Sequence, residues 1–366
     1  MLRKLSFALS TTILSLASMA QDSTKAEEKP KPTITGSVDV YWRYNFQNAK
    51  TQEQTNNLTS FTNSHNSFEL GMASVKIDHS FGKVSGVLDL GFGRRAEEFS
   101  YNDKTTSIDD NGDDVFSPTL LAAVKQAYVT YAPSDKVKFT FGKFGTHVGY
   151  ELLDPQLNKN YSMSYMFSYG PFFHTGLKMD IAATDNFSFM LGVSNPTDYS
   201  TASFENKFFL GQIHGATNDG SFSGYLNYVG GKNVAKVTSS QLDLVLTGKI
   251  SDKFSIGYNG TTRSLKPNNS PTQSFWGSAL YLNVDPTANL GLCLRGEYFD
   301  DKKNGTDGYI GTSVFATTLS ANIKVDGLTI IPEFRIDSGK SNLFTKNDGT
   351  FTKSAGAFVL AAVYSF

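Results

Sequence analysis

The chain has 366 residues, a formal net charge of -1, 13% aromatic residues, 32 glycines against 11 prolines, and a single cysteine, Cys293. The balanced charge offers no footprint for nucleic acid, and one cysteine cannot close an internal disulfide, so an exported fold would not depend on such staples. No apolar run reaches the roughly twenty residues of a spanning helix; this excludes helical insertion but leaves spanning strands open, because only one face of a strand has to be apolar.

In chain order, Arg3 and Lys4 precede an apolar run from Leu5 to Leu16, and Ala17-Ser18-Met19-Ala20 supplies small residues before Gln21. Residues 1–20 are therefore expected to be a secretory signal peptide. Gln21 rather than cysteine follows the cut, so nothing points to a lipid-anchored end. Residues 21–32, charged and proline-containing, are expected to be a flexible periplasmic lead-in with no plug domain.

At residue 33 the pattern changes to period two. Ile34, Gly36, Val38, Val40, Trp42, Tyr44 and Phe46 alternate with Thr33, Thr35, Ser37, Asp39, Tyr41, Arg43 and Asn45, which places one face for lipid and the other for water. The same alternation predicts strands near 33–46, 66–80, 83–94, 122–132, 136–144, 172–182, 186–194, 207–216, 221–229, 239–250, 253–263, 274–284, 289–299, 312–325, 328–338 and 354–366. In 66–80 the apolar parity changes between Met72 and Val75, and a bulge near Ala73 would reconcile the two halves. Tight turns such as 81–83, 184–186 and 326–327 alternate strictly with longer polar segments such as 47–65, 95–121 and 145–171. Short turns at one end and long loops at the other are the mark of an all-β, transmembrane antiparallel β-barrel. Residues 33–366 are expected to form one such barrel of about sixteen strands. A soluble β-propeller is the architectural rival, but its strands are shorter and no recurring Trp-Asp or Gly-His signature is present.

Little in the chain points to chemistry. In the acidic segment 109–114, alignment of Gly112 with the turn glycine of a calcium loop puts Ser107 first and Pro118 last, where acidic ligands are needed. Gly91-Phe92-Gly93-Arg94-Arg95-Ala96 fits a relaxed dinucleotide pattern, but no apolar helix is expected after it. The five histidines have no ligand spacing and no nucleophile elbow is present, so no catalytic residue, metal or cofactor is assigned.

The inward parity carries a more coherent signal. Asp39, Tyr41 and Arg43, then Asp243, Arg263, Arg295 and Glu297, then Glu333, Arg335 and Asp337 all lie opposite the apolar face. On lipid, each Arg or Lys would cost about 2–4 kcal/mol near the midplane, so these ten are expected to line the lumen. They form either a hydrated wall with internal ion pairs or a constriction that selects by charge; on the second reading Arg43→Glu with Arg335→Glu raises cation preference. Segment 145–171 holds Tyr150, Glu151, Asp154, Tyr161 and Tyr165 among Leu152, Leu153, Met163, Met166 and Phe167. It is expected either to fold into the barrel mouth and narrow it or to pack against the loop ends.

The last strand puts Phe358, Leu360, Ala362, Tyr364 and Phe366 on one face and stops on phenylalanine. It resembles the C-terminal assembly signal of outer-membrane barrels, in which Phe358, Tyr364 and Phe366 would meet the barrel-assembly machinery and outer-membrane lipid. The order Gly142-Lys143-Phe144, Gly149-Tyr150-Glu151, Asn160-Tyr161-Ser162, Ser164-Tyr165 and His174-Thr175-Gly176 resembles the β-barrel porin-2 (OmpL-like) family, from about residue 33 to the C-terminus and most specifically in 122–180. Met163 departs from the more polar residue expected there. The resemblance implies a porin-type barrel in the bacterial outer membrane, open to passive diffusion of small hydrophilic solutes or ions; a homotrimer is compatible with it, and it transfers no catalytic residue. A surface-binding or adhesion barrel with a plugged lumen, and a barrel enzyme, are the alternatives.

Overall fold

Alternation at period two lets each strand satisfy its backbone by pairing with its neighbours, and closure of the sheet removes the unpaired edges that lipid could not solvate. The computed structural model describes residues 30–49, 55–108, 114–233, 236–306 and 308–366. The expected signal peptide, most of the lead-in, and Asp109 to Asp113 of the acidic segment lie outside the described residues.

The strands are β1 (Thr33–Asn45), β2 (Ser67–Phe81), β3 (Val84–Phe92), β4 (Lys104–Ile108), β5 (Asp114–Pro118), β6 (Val124–Ser134), β7 (Val137–Gly145), β8 (Phe173–Thr184), β9 (Phe187–Ser194) and β10 (Phe208–Ala216). They continue as β11 (Phe222–Lys232), β12 (Thr238–Lys249), β13 (Phe254–Lys266), β14 (Gln273–Thr287), β15 (Leu290–Lys303), β16 (Ser313–Val325), β17 (Leu328–Gly339), β18 (Phe344–Thr345), β19 (Phe351–Thr352) and β20 (Ser354–Ser365). Sixteen of them close one antiparallel barrel in the order β1-β2-β3-β6 through β17 to β20, which pairs back with β1. β4–β5 and β18–β19 are small hairpins within long loops, too short in pattern to be separated from loop by sequence.

The final strand seals the sheet. Phe366 donates its N–H to the Gly36 carbonyl and Gly36 returns the bond, both at 3.0 Å. Ala355, Ala357, Val359, Ala361 and Val363 are buried inside, whereas Leu360, Tyr364 and Phe366 are exposed on the outer surface. Phe358 packs between Trp42 and Phe334 at ring-centroid distances of 6.3 and 4.8 Å, and Tyr364 packs on Phe366 at the short-turn end.

The expected bulge in β2 lies at Gly71, two residues earlier than Ala73. Asp39 of β1 faces Met72 while Val40 faces Leu70, which leaves Gly71 as the extra residue. Phe68 and Leu70 point out before it, Met72 points in, and Val75 points out after it. A Cβ on Gly71 would stand 1.8 Å from Asp39 Oδ2 and 2.6 Å from the Tyr161 hydroxyl. Because Asp39 is fully buried and its carboxylate is bonded to that hydroxyl, neither can step aside cheaply. Gly71→Ala is expected to lower barrel stability by about 1–3 kcal/mol, read as an earlier urea midpoint of the vesicle-embedded barrel.

A six-residue helix, Arg94–Phe99, follows Gly93, where none was expected. It is too short for the dinucleotide reading, and it turns Arg95, Ala96 and Phe99 into the barrel rather than presenting an N-terminus to a ligand.

Candidate functional site

The connection from β7 to β8, residues 146–172, descends into the lumen. It leaves the long-loop end and passes Asp243, whose carboxylate accepts the Gly149 N–H at 3.0 Å and also accepts from Asn227 and Asn259. Tyr150 stacks on Tyr281 of β14 at 4.1 Å. Asp154 then reaches Lys125 on β6 at 2.5 Å, and Lys125 also pairs with Asp89 of β3 at 3.1 Å. At the short-turn end Lys159 pairs with Asp285 of β14 at 2.6 Å. The loop therefore crosses the lumen between opposite walls and samples nearly its full height.

The returning limb is held by the inward charges of β15, β16, β17 and β1. Glu333 accepts the consecutive N–H groups of Tyr161 and Ser162 at 2.7 and 3.1 Å, and the Ser320 hydroxyl at 2.7 Å. Glu297 accepts the N–H groups of Tyr165 and Met166 at 3.0 and 3.1 Å. Arg295 pairs with Glu151 of the loop and donates to the Ser162 carbonyl at 2.8 Å and to Thr318 at 3.0 Å. Arg335 forks onto Asp337 and donates to the Met163 carbonyl at 2.6 Å. Tyr161 and Tyr165 donate their hydroxyls to Asp39 at 2.5 Å and to Asp337 at 3.0 Å. Cys293 donates its thiol to Asn160. Backbone amides that descend into a lumen without regular pairing need acceptors, and the wall carboxylates supply them.

Sequence parity placed the ten expected lining residues on the inner face, but it could not show what stands against them. Nine are buried: Asp39, Tyr41, Arg43, Asp243, Arg295, Glu297, Glu333, Arg335 and Asp337. Arg43 is covered by the first long loop, donating to the carbonyls of Ser64 at 2.6 Å and Thr55 at 2.8 Å, and Tyr41 packs on Tyr161. Arg263 differs: it donates to the Tyr169 carbonyl at 3.1 Å and borders an outer cavity.

Smaller cavities of about 310 and 190 Å³ lie between the loop and the wall of β13 to β17 and β20, and two large ones border it. The inner one, of about 510 Å³, runs between the loop and the wall of β2, β3, β6, β7 and β8, with Asp78, Gln126, Tyr128, Lys138 and Lys178 among its lining. The outer one, of about 580 Å³, opens among the long loops and is lined by Glu98, Tyr101, Tyr169, Gln241, Arg263 and Tyr309. Phe172 lines both. Its ring meets Phe61, Phe167 and Phe99 at 5.5, 5.5 and 5.9 Å, and Tyr101 edge-on at 6.1 Å. Asp198, in the loop after β9, accepts the N–H groups of Phe172 and Phe173 on one oxygen at 2.6 and 3.0 Å, and the Tyr101 hydroxyl on the other at 3.1 Å. Burial pushes the Asp198 carboxyl up to about 6, while the Phe173 and Phe172 amides pull against the rise. Burial likewise pushes the loop imidazole of His147 down to about 4, so it is neutral at pH 7.

Sequence reasoning missed Lys138 and Lys178, although both obey the inward parity it used. It also missed Arg95, Phe99, Phe172 and Asp198, which lie in or beside irregular loops where no periodicity marks them. Among the described residues, no group of three or more His, Cys, Asp or Glu side chains is placed to hold a metal ion.

Among solved structures, the fold is similar to the outer membrane channel DcaP of Acinetobacter baumannii, at 14% identity and TM-score 0.60 over 94% of this chain and 100% of that one. It is also similar to an anion-selective porin from Comamonas acidovorans, at 9% identity and TM-score 0.59 over 92% and 99%. A third is the trimer form of the outer membrane protein OmpT of Vibrio cholerae, at 14% identity and TM-score 0.58 over 93% and 100%. No curated protein sequence matches. The family model described as "Putative beta-barrel porin-2, OmpL-like" matches residues 31–366, nearly the whole chain and all sixteen strands of the barrel with its inward loop, and the chain belongs to that family of outer-membrane porins.

Proposed function

We propose that this porin passes small hydrophilic solutes or ions down their gradient along the β3, β6, β7 and β8 side of the inward loop, from the outer cavity to the inner one. The observation that carries this reading is that the two larger cavities bordering the loop share Phe172: the inner one lies on that side and the outer one opens over β10 to β13, whereas the cavities between the loop and the opposite wall are smaller, about 310 and 190 Å³. Tyr150, Glu151, Asp154, Tyr161 and Tyr165 act as the constriction loop. Eight of the nine buried wall residues hold it in place, while Arg43 holds the first long loop; Arg263, Lys138, Lys178 and Asp78 meet the solute. The protein acts without catalysis. Residues 1–20 direct export, and Phe358, Tyr364 and Phe366 guide insertion into outer-membrane lipid by the barrel-assembly machinery. A homotrimer is supported by the trimer form of OmpT among the similar structures.

Purified barrel reconstituted into a planar bilayer is expected to give stable single-channel steps, with a reversal potential under a salt gradient that reports its ion preference. The loop's crossing of the lumen favours one other reading, a plugged surface-binding barrel. A folded, inserted barrel that never conducts would replace the channel with that alternative.

A further inference from the structure

The residue that borders both cavities is neither charged nor polar. Phe172 faces the outer cavity beside Tyr101 and Tyr169, and the inner cavity beside Phe99 and Phe167. Its backbone cannot drift, because Asp198 holds the N–H groups of Phe172 and Phe173 on one carboxylate oxygen. Phe172 is itself buried in a cluster with Phe61, Phe99, Leu153, Met163, Phe167 and Phe173. Opening between the cavities therefore falls to rotation of aromatic side chains and not to movement of the loop. A hydrated ion at that level would meet ring carbons on the loop side and would have to shed water without replacement ligands, which is how an apolar constriction gates by dewetting. A solute with an aromatic or apolar face exchanges ring contact for ring contact, and Tyr101, Tyr169 and Tyr309 above and Tyr128 and Phe144 below offer further faces along the way.

We infer that Phe172, backed by Phe99 and Phe167, is the specificity-determining barrier of the passage, and that it favours small polar solutes bearing an aromatic or apolar face over hydrated inorganic ions. This rests on the route proposed above. It places discrimination between ring-bearing solutes and inorganic ions on a ring layer between the two cavities and not on the buried charged wall.

The test compares the full-length wild type with Phe172→Ala and Phe172→Leu, each checked for heat-modifiable barrel mobility. Phe172→Ala is expected to raise single-channel conductance in potassium chloride by about threefold or more, with Phe172→Leu intermediate. In liposome swelling, corrected for protein-free vesicles, the wild type should admit phenyl glucoside several-fold faster than sucrose, beyond the ratio their sizes give, and Phe172→Ala should lose that excess. Should Phe172→Ala misassemble, Phe172→Leu carries both comparisons. Wild-type conductance that is unchanged in the folded variants, or swelling rates ordered by size alone, would overturn the barrier and leave the route standing. Folded wild type and variants that all fail to conduct and fail to swell would overturn the route and the barrier together.

Discussion

Glu297→Ala with Glu333→Ala is expected to free the inward loop, raising conductance about two- to fivefold and exposing residues 155–168 to proteolysis, while the barrel itself remains folded. Each carboxylate accepts two consecutive backbone N–H groups of the loop. Hydrogen bonds to a charged group contribute about 1.5–3 kcal/mol each, so the double substitution removes several kcal/mol from a segment whose regular backbone pairing is limited to a 3-10 turn at Pro155–Leu157 and a four-residue helix at Tyr165–Ser168. The N–H groups of Tyr161, Ser162, Tyr165 and Met166 would be left buried without acceptors, and the loop relieves this by moving toward water. The hairpin ladder does not depend on these carboxylates, so heat-modifiable mobility should persist. Released loop also carries Phe167 away from the ring layer. Glutamine at both positions keeps one acceptor oxygen but turns an NH2 donor toward the second loop N–H, so it retains one of the two bonds at each site and its effect should be smaller than that of alanine. Proteolysis and conductance that match wild type would show that other contacts, chiefly Arg295 with Glu151 and Arg335 with the Met163 carbonyl, hold the loop without the carboxylates.

Lys138→Glu with Lys178→Glu is expected to raise the cation-to-anion permeability ratio several-fold, seen as a shift of the reversal potential under a salt gradient. Both side chains line the inner cavity, and their relative exposures of 53% and 23% leave them in contact with water. Each lies near Asp180, at 3.8 and 3.2 Å respectively, so reversal would leave Asp78, Asp180 and two glutamates on one wall. Lys76 and Lys125 keep their own carboxylate partners, so the field over that half of the lumen becomes net negative, and local cation concentration rises. An unchanged reversal potential would move ion selection elsewhere, to Arg263 or to the ring layer. The pair suggested by sequence parity, Arg43→Glu with Arg335→Glu, has a different consequence in this structure. Arg43 donates to three loop carbonyls, those of Ser64, Thr55 and Asn56, and Arg335 is clamped between Asp337 and the Met163 carbonyl. A carboxylate at either site would face acceptors in a buried setting, where breaking one partner of a buried pair costs about 3–5 kcal/mol. Misassembly is the expected readout there, ahead of any change in selectivity.

The difference between those two charge reversals marks where sequence reasoning stopped. Parity is a local property: a strand's period of two follows from the backbone, and a lipid face tolerates few charges, so sequence sends residues such as Arg43 and Arg335 inward. Their neighbours inside the lumen are set by long-range contacts. Glu333 bonds to Tyr161 across 172 positions in the chain, and Glu297 to Tyr165 across 132; no window of sequence contains both partners. The bulge shows the same limit at small scale. Leu70 and Val75 bracket the change of phase in β2, but only the Asp39 carboxylate of the neighbouring strand decides that the extra residue is the one without a Cβ, Gly71. Asp198 carried no signal, because irregular segments have no period to break, and Phe172, expected as the first residue of a strand near 172–182, stands just before that strand, which begins at Phe173. By itself the sequence determined the barrel, its strands, its faces and its short-turn end, since each follows from alternation and turn chemistry within a few residues. The path of the loop, the burial of the charged wall beneath it and the ring layer between two cavities were decided only in the tertiary structure, where unpaired loop amides had to find acceptors on strands far away in the chain.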